Sequence, residues 1–422
     1  MGDVLAEKPD RLAEAGRRAG PVRRRTVFYV HGFDPRGPAP YHRLFAEEAA
    51  RQAAVSGAGI DVGARRRASR NADLWEVRAR FDGAQTQTAW VFLRWDDVVR
   101  RLWTRSGPRL LARMWAATAL AWRSGLLGRS WRRARPLALA LLLPVASATA
   151  FQALAIAGAA GLSLLVWRVA RGLGAPAVLA LPLALASLPI APLLALRGWR
   201  RFDAALRVSW LAQSLINIAS AACDRRPEVR QAAERIAERI VEAASGPDDD
   251  EVLVVGHSYG AAVAVMALAR ALQLDPRLGR RPGGPTLSLL TLGQSIAAWD
   301  RVAQSRERGG RFHQDLETVA GARQIAWLDV TSPSDGASSS RLDPFERLDA
   351  GVRRPPRRSP QFHLILSRER YRRIRMRPFD YHFQYLCAAQ VPGGYDLFRL
   401  ACGPDRLPDF AKGWTRFVED AP

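Results

Sequence analysis

The sequence predicts an α/β protein: a mostly parallel sheet flanked by helices and interrupted by a two-helix transmembrane hairpin. Three observations carry this. Short β-branched runs alternate with segments of helical periodicity, the pattern of strands joined by crossover helices. Two stretches, 136–167 and 172–196, contain no charged residue and run for 32 and 25 residues, with only Arg168 and Arg171 charged between them. The 422 residues are 48% hydrophobic and 8% aromatic, too apolar for a disordered chain and long enough to bury a sizeable core. Cys223, Cys387 and Cys402 are the three cysteines, and no two stand at CxxC spacing. That argues for a reducing compartment and against a cysteine zinc site.

Taken in order, residues 1–24 read as a flexible basic leader and 25–97 as the first part of the α/β domain. Within it, 26–30 is a buried strand ending at His31-Gly32. Residues 41–54 form a helix with Leu44, Phe45, Glu48 and Ala49 on its inner face, and 89–93 is a second buried strand. Residues 98–135 form a basic, Trp-rich interfacial segment, 136–197 the hairpin, and 198–422 the second part of the domain. There, 228–244 is a helix with Val229, Ala233, Ile236 and Ile240 on one stripe. Residues 252–255 are a strand and 261–272 an apolar helix; 286–292 and 324–330 are further strands. Residues 337–341 and 353–360 read as surface loop.

A membrane span needs about 20 apolar residues, so each apolar run is long enough. The first is too long for one upright helix, and it is expected to tilt, overshoot or break near Gly158-Ala159-Ala160-Gly161. The alternative is a pair of very hydrophobic core helices. Proline is tolerated better in membrane spans than in water, and five prolines fall within 144–192. Trp103, Trp115, Trp122, Trp131, Trp167, Trp199 and Trp210 cluster in and around the region, as suits an interface. The formal net charge is +23. Residues 98–135 hold ten arginines and no acid, and 353–377 hold ten with Glu369 alone opposing them. Arg129, Arg132, Arg133 and Arg135 precede the first run, and Arg197, Arg200, Arg201 and Arg207 follow the second. The positive-inside rule then predicts a protein of the cell inner membrane with both flanks, both termini and the α/β domain cytoplasmic. The strands at 27–30 and 252–255 must share a sheet, so the crossings between them must be even in number; two apolar runs satisfy this.

Between the strand at 252–255 and the helix from 261 lies Gly256-His257-Ser258-Tyr259-Gly260, a G-x-S-x-G turn in a strand–turn–helix setting. A sharp turn of this kind presents a serine hydroxyl above the sheet. The helix that follows offers free N–H groups to a developing oxyanion, with the Tyr259 N–H as one donor. A serine needs a base. His382, between Pro378 and a helix, is the favoured one, with His363 the rival in a segment, 362–366, that reads as strand. For the acid, Asp335 on the loop beyond the strand at 324–330 is favoured, because sites of open α/β sheets assemble there. Asp329, inside that strand, and the more distant Asp343 are alternatives.

With His31-Gly32-Phe33-Asp34 following the first strand, the chain resembles the α/β-hydrolase superfamily, lipase-like. The resemblance covers 26–95 and 250–390 in outline. It implies that the Phe33 N–H is the second oxyanion donor and that Gly32 permits close approach, while His31, Gly256 and Gly260 support the turns. His382 followed by Tyr385 is similar to the H-x-x-Y around the catalytic histidine of some lipases. The order Ser258, Asp335, His382 is the order such a fold requires.

No helix-turn-helix, zinc-finger or RNP-type signature accompanies the arginines, so nucleic acid is not an expected partner. No phosphate-loop motif is present, and no histidines stand at i, i+4 on a helix, so neither nucleotide hydrolysis, a metal nor another cofactor is expected. The expectation is a membrane-anchored serine hydrolase that cleaves an acyl or lipid-like carboxylic ester, with anionic membrane lipid as a further partner. The alternatives are a non-catalytic scaffold of the same fold and an anionic-lipid-binding protein.

Overall fold

The computed structural model describes residues 20–303, 310–349, 351–352 and 354–413. Residues 1–19, most of the expected leader, lie outside these. The next residues of the chain are packed: Val22 is buried, its N–H donates to the Pro404 carbonyl at 2.8 Å, and Arg24 opens strand β1 (Arg24–Val30).

Helix α1 (Pro38–Ser56) starts on a proline in its first turn and stops at Gly57, whose φ of 70° is the left-handed cap that glycine favours. Strands β2 (Gly59–Val62), β3 (Arg66–Ser69), β4 (Ala72–Phe81) and β5 (Ala84–Leu93) follow. Only β5 overlaps a strand read from the sequence. Strands β4 and β5 form an antiparallel hairpin closed by Asp82-Gly83, both at positive φ, the backbone that a two-residue hairpin turn requires. Trp75, Val77, Ala79 and Phe81 of β4 point inward while Glu76, Arg78 and Arg80 point out.

The chain then leaves the sheet through α2 (Asp96–Leu102), α3 (Gly107–Arg123), α4 (Leu126–Arg133), α5 (Arg135–Gly172), α6 (Ala177–Ser187), α7 (Ile190–Leu206), α8 (Val208–Ala221) and α9 (Pro227–Ser245). It returns as β6 (Glu251–His257), followed by α10 (Tyr259–Leu274), β7 (Thr286–Leu292), α11 (Ile296–Ala303), α12 (Arg311–Gly321), β8 (Ile325–Val330) and the two-residue β9 (Arg357–Arg358). Five short helices close the described chain: α13 (Phe362–Ile365), α14 (Arg368–Arg375), α15 (Pro378–Phe383), α16 (Leu397–Cys402) and α17 (Leu407–Gly413).

The sheet runs β2-β4-β5-β1-β6-β7-β8-β9, with β3 on β4. Every pairing from β5 to β9 is parallel, and those of β2, β3 and β4 are antiparallel. Strands β1 and β6 are neighbours, Val27 opposite Leu253 and Phe28 opposite Val254, as the even-crossing argument requires. Both faces are covered, which is why the parallel strands read as continuous apolar runs. Helices α9 to α12 lie in the apolar cluster with Val252 and Val254; α1 and the C-terminal helices lie in the other, with Leu253 and Val255.

Helices α5 and α6–α7 are long and apolar enough to cross a membrane, and only 17% of the most apolar window of each is buried. They are not the buried core helices of the alternative reading. Leu154, Ile156, Leu173 and Val178 are among their exposed side chains. Helix α5 does not break at 158–161. Gly158 instead packs against α7, where an added Cβ would stand 2.9 Å from the Ala191 Cβ; small residues let apolar helices pack closely. The excess length lies at the start of α5. Its buried residues are Leu137, Ala138, Leu141, Pro144 and Val145, and Val145 packs with Met114, Ala212 and Ile216 of α3 and α8. The second run is the broken one: α6 stops at Ser187 and α7 restarts at Ile190, around Pro189, which has no N–H for the helical ladder.

Three further expectations are corrected. Residues 362–365 are helix α13, not strand. Ser338, Ser339 and Ser340, expected in a surface loop, are buried. Arg357-Arg358, likewise expected in a loop, form the edge strand β9 on β8.

Candidate functional site

Ser258 stands between β6 and α10 with φ 58° and ψ −124°, a conformation that costs energy for any residue with a Cβ and that clusters at functional sites. The turn is possible because its glycines admit backbone. A Cβ on Gly256 would lie 2.6 Å from the Ala261 Cα, and one on Gly260 would lie 2.1 Å from the Val30 carbonyl oxygen. Thus α10 is drawn tight against both its own strand and the end of β1. The Ser258 N–H donates to the Leu292 carbonyl at 2.9 Å, tying the turn to β7.

The His31-Gly32-Phe33 turn packs directly on this serine. A Cβ on Gly32 would lie 3.2 Å from the Ser258 Cβ and 3.6 Å from its Oγ. All three carbonyls of the turn accept hydrogen bonds: His31 from Trp95 Nε1 at 3.0 Å, Gly32 from the Asp34 N–H at 2.8 Å, and Phe33 from Trp210 Nε1 at 2.9 Å. With its carbonyls anchored, the orientation of the peptide N–H groups is fixed as well. His31 Nδ1 also donates to the Gly32 carbonyl at 2.7 Å. Burial lowers the His31 pKa and so favours the neutral ring, whose proton the bond places on Nδ1.

His382 lies in α15, completely buried, and its Nδ1 donates to Asp335 Oδ2 at 2.7 Å. Asp335 follows β8 on a loop, with Oδ1 accepting from the Ala337 N–H at 3.0 Å. Of the two acid rivals, Asp329 accepts from Thr291 and Thr331 and faces Arg357 at 3.7 Å, and Asp343 faces Arg354 at 3.4 Å. His363 is exposed on α13 with its ring against Tyr371. The favoured acid and base of the sequence reading are therefore the pair brought together. His382 Nε2 has no hydrogen-bond partner among the described residues. The serine–histidine bond of a working triad is not made here, although such bonds are often long until substrate binds. Adjacency to Ser258 comes from His257, whose ring stacks on His382 at 4.9 Å and whose Nε2 donates to the His382 carbonyl at 3.1 Å.

The chain matches no model of a known protein family, no curated protein and no solved structure. What the site can do therefore rests on its own chemistry.

Four side chains without an assigned site role in the sequence reading complete it. Tyr385 donates to Asp335 Oδ2 at 3.1 Å and accepts from the Ser332 N–H at 2.7 Å; burial and then Asp335 push its phenol pKa up. Trp95 and Trp210 anchor the His31-Gly32-Phe33 turn, and the Trp210 ring lies 6.1 Å from His382. Trp103 stacks on Phe33 at 6.0 Å. Both Trp103 and Trp210 were read as interface aromatics; the structure places them against the site. Only the H-x-x-Y spacing gave a signal for Tyr385, and none marked the tryptophans, because their roles depend on where the inserted helices return. At the rim, burial raises the Asp34 carboxyl pKa, but the bonded Arg36 guanidinium outweighs it and the net shift is downward. Among the described residues no group of three or more His, Cys, Asp or Glu side chains could hold a metal ion.

Proposed function

We propose that the protein is a membrane-anchored serine hydrolase of the α/β-hydrolase type, cleaving an acyl or lipid-like ester on the cytoplasmic side. The observation that carries this reading is the buried bond from His382 Nδ1 to Asp335, which leaves Nε2 unpartnered on a ring stacked against His257, the residue preceding Ser258 in its strained turn. In this reading Ser258 Oγ attacks the ester carbonyl and its proton passes to His382 Nε2. The tetrahedral oxyanion is held by the N–H groups of Phe33 and Tyr259. Asp335 keeps the imidazole in the required tautomer and stabilises its cation. Collapse expels the alcohol, which takes the proton from His382. Water repeats the sequence on the acyl-enzyme and releases the acid.

The surroundings of the site are apolar: a small cavity of about 40 Å³, too small for an acyl chain unless its walls move, lies beside it. Met114, Leu126, Leu141 and Ile216 line this cavity, and it reaches Ser295 and Ala337. Ser295 Oγ donates to the Ser258 carbonyl at 3.4 Å, and Ala337 donates to Asp335. The membrane reading is supported by the exposed apolar surface of α5 to α7 and by the arginines at both of its ends.

A fluorophosphonate probe on membranes tests the reading. Wild type and Asp329→Asn should be labelled, whereas Ser258→Ala should not, and His382→Ala and Asp335→Asn should lose labelling by about a hundredfold or more. Labelling of Ser258→Ala would overturn the assignment of the nucleophile, and an unlabelled wild type would leave a scaffold of the same fold.

A further inference from the structure

The first of the two arginine-rich stretches forms a basin, which adjoins the Phe33 turn on one side and the helix packed on α5 on the other. Residues 97–113, the end of α2 and the start of α3, line a wide-open surface depression of about 790 Å³. Arg100, Arg101, Arg105, Arg109 and Arg113 line it, and Asp97 is the only acid in its wall. Three of the five arginines are held in place. Arg100 pairs with Asp96 and donates to the Pro35 carbonyl, Arg101 pairs with Asp97 at 3.1 Å, and Arg113 donates to Thr104 Oγ1 at 2.7 Å. Arg105 and Arg109 are exposed, and neither meets a carboxylate among the described residues. The basin thus presents two guanidinium groups, those of Arg105 and Arg109, that meet no carboxylate among the described residues, beside three that are already engaged.

Its position narrows the ligand. Trp103 forms part of the wall and stacks on Phe33, so the basin backs onto the turn that supports Ser258. Helix α3, which carries Arg109 and Arg113, packs through Leu110, Met114 and Ala117 against Val145 and Ala148 of α5. The same helix exposes Trp115 and Trp122, at 52% and 70%, side chains that favour the membrane interface. Guanidinium groups bind phosphate through paired, charge-assisted hydrogen bonds. A basin of arginines at headgroup depth therefore suits a phosphorylated headgroup whose acyl chains remain in the bilayer.

We propose that this basin is a binding site for the phosphate headgroup of an anionic phospholipid, held beside the mouth of the hydrolase site. The proposal rests on the membrane placement and is independent of whether Ser258 is reactive. It differs from a diffuse attraction of the whole positive surface, because it assigns the selectivity to Arg105 and Arg109. The other arginine-rich stretch, with Arg372 and Arg375 on α14, should contribute little.

The full chain, passed through gel filtration from neutral-detergent micelles holding equal phosphatidylglycerol and phosphatidylcholine, reports the preference as the ratio of the two lipids retained. Wild type should retain phosphatidylglycerol preferentially. Arg105→Gln/Arg109→Gln should lower that preference about 30-fold, at the strength of two arginines near an anionic surface. Arg372→Gln/Arg375→Gln should keep it. Equal losses in the two double variants would overturn the proposal in favour of bulk charge, and displacement of the lipid by inorganic phosphate alone would assign the basin to a soluble anion. Retention of no lipid at all would overturn the membrane placement and the basin together. Fluorophosphonate labelling of the same samples separates the readings. The Arg105→Gln/Arg109→Gln variant should label like wild type, so a loss of lipid with labelling intact locates the effect in the basin. An unlabelled wild type that still prefers phosphatidylglycerol would remove the hydrolase reading alone.

Discussion

His257 shows how much of the site is held by a residue that need not touch substrate. Its ring stacks on His382 and its Nε2 binds the His382 carbonyl, so the variable position of the G-x-S-x-G turn grips the helix carrying the base. Burial, and then the neighbouring His382, hold its pKa well below the ordinary value. The folded protein therefore resists a proton that the unfolded chain accepts near pH 6.5. Its contribution to stability is complete above that pH and is lost as the pH falls below it, at up to about 1.4 kcal/mol per pH unit. His31 is shifted in the same direction by burial. The thermal midpoint should thus drop as the pH is lowered from about 7.5 towards 5. In His257→Gln, whose amide can still donate to the His382 carbonyl, the drop should be smaller. Equal slopes for the two proteins would mean that His257 takes up its proton without cost in the fold.

Helix α5 divides at the level of the element into a stem and a span. Its buried side chains end at Val145, and the 24 residues from 149 to 172 would extend about 36 Å at 1.5 Å per residue, close to the thickness of a bilayer core. Leu141, buried in the stem, should cost about 2–4 kcal/mol when cut to alanine, whereas Leu154→Ala, on the exposed surface, should leave the unfolding midpoint in detergent unchanged. Equal effects would show that the stem is not packed. The apolar pattern revealed the helix but not this division, because a stem buried in protein and a span facing lipid have the same composition. Similar limits separate what was legible elsewhere. Strand β7 has the bounds read from its sequence, since its run of leucines with Thr and Ser is closed off by Pro285 before it and Gly293 after it. Strand β4 has a local signal outside the expected strands: Trp75, Val77, Ala79 and Phe81 alternate with charges ahead of Asp82-Gly83, a hairpin turn. Asp335 could be ranked by its place beyond a strand end, and His382 by its place between Pro378 and a helix. Trp95 and Trp210 could not, because their role is set by three-dimensional return points that leave no local pattern.

For the whole molecule, the arginines and the apolar helices make one arrangement: charge at the foot of the hairpin, uncharged surface along it, and two arginines at its turn. A cysteine in place of Leu173, which is 83% exposed between α5 and α6, should react with a membrane-impermeant maleimide from outside intact cells. Arg372→Cys should react only after permeabilisation. The native Cys223 and Cys402 are buried, and burial pushes the thiol of the partly buried Cys387 up to about 12, so the three native cysteines should leave a low background. Reaction of both positions in intact cells, or of neither before permeabilisation, would overturn the topology. The pairing of β1 with β6 also has a consequence for biosynthesis. The 157 residues from Arg94 to Asp250, the hairpin among them, are translated between the two halves of the sheet. At about 5–20 residues per second, the nascent chain carries β1 with one bare edge for roughly 10–30 s. An open strand edge is a template for wrong pairing. In the proposed topology the delay makes prompt membrane insertion of the apolar helices a condition for the sheet to close on itself.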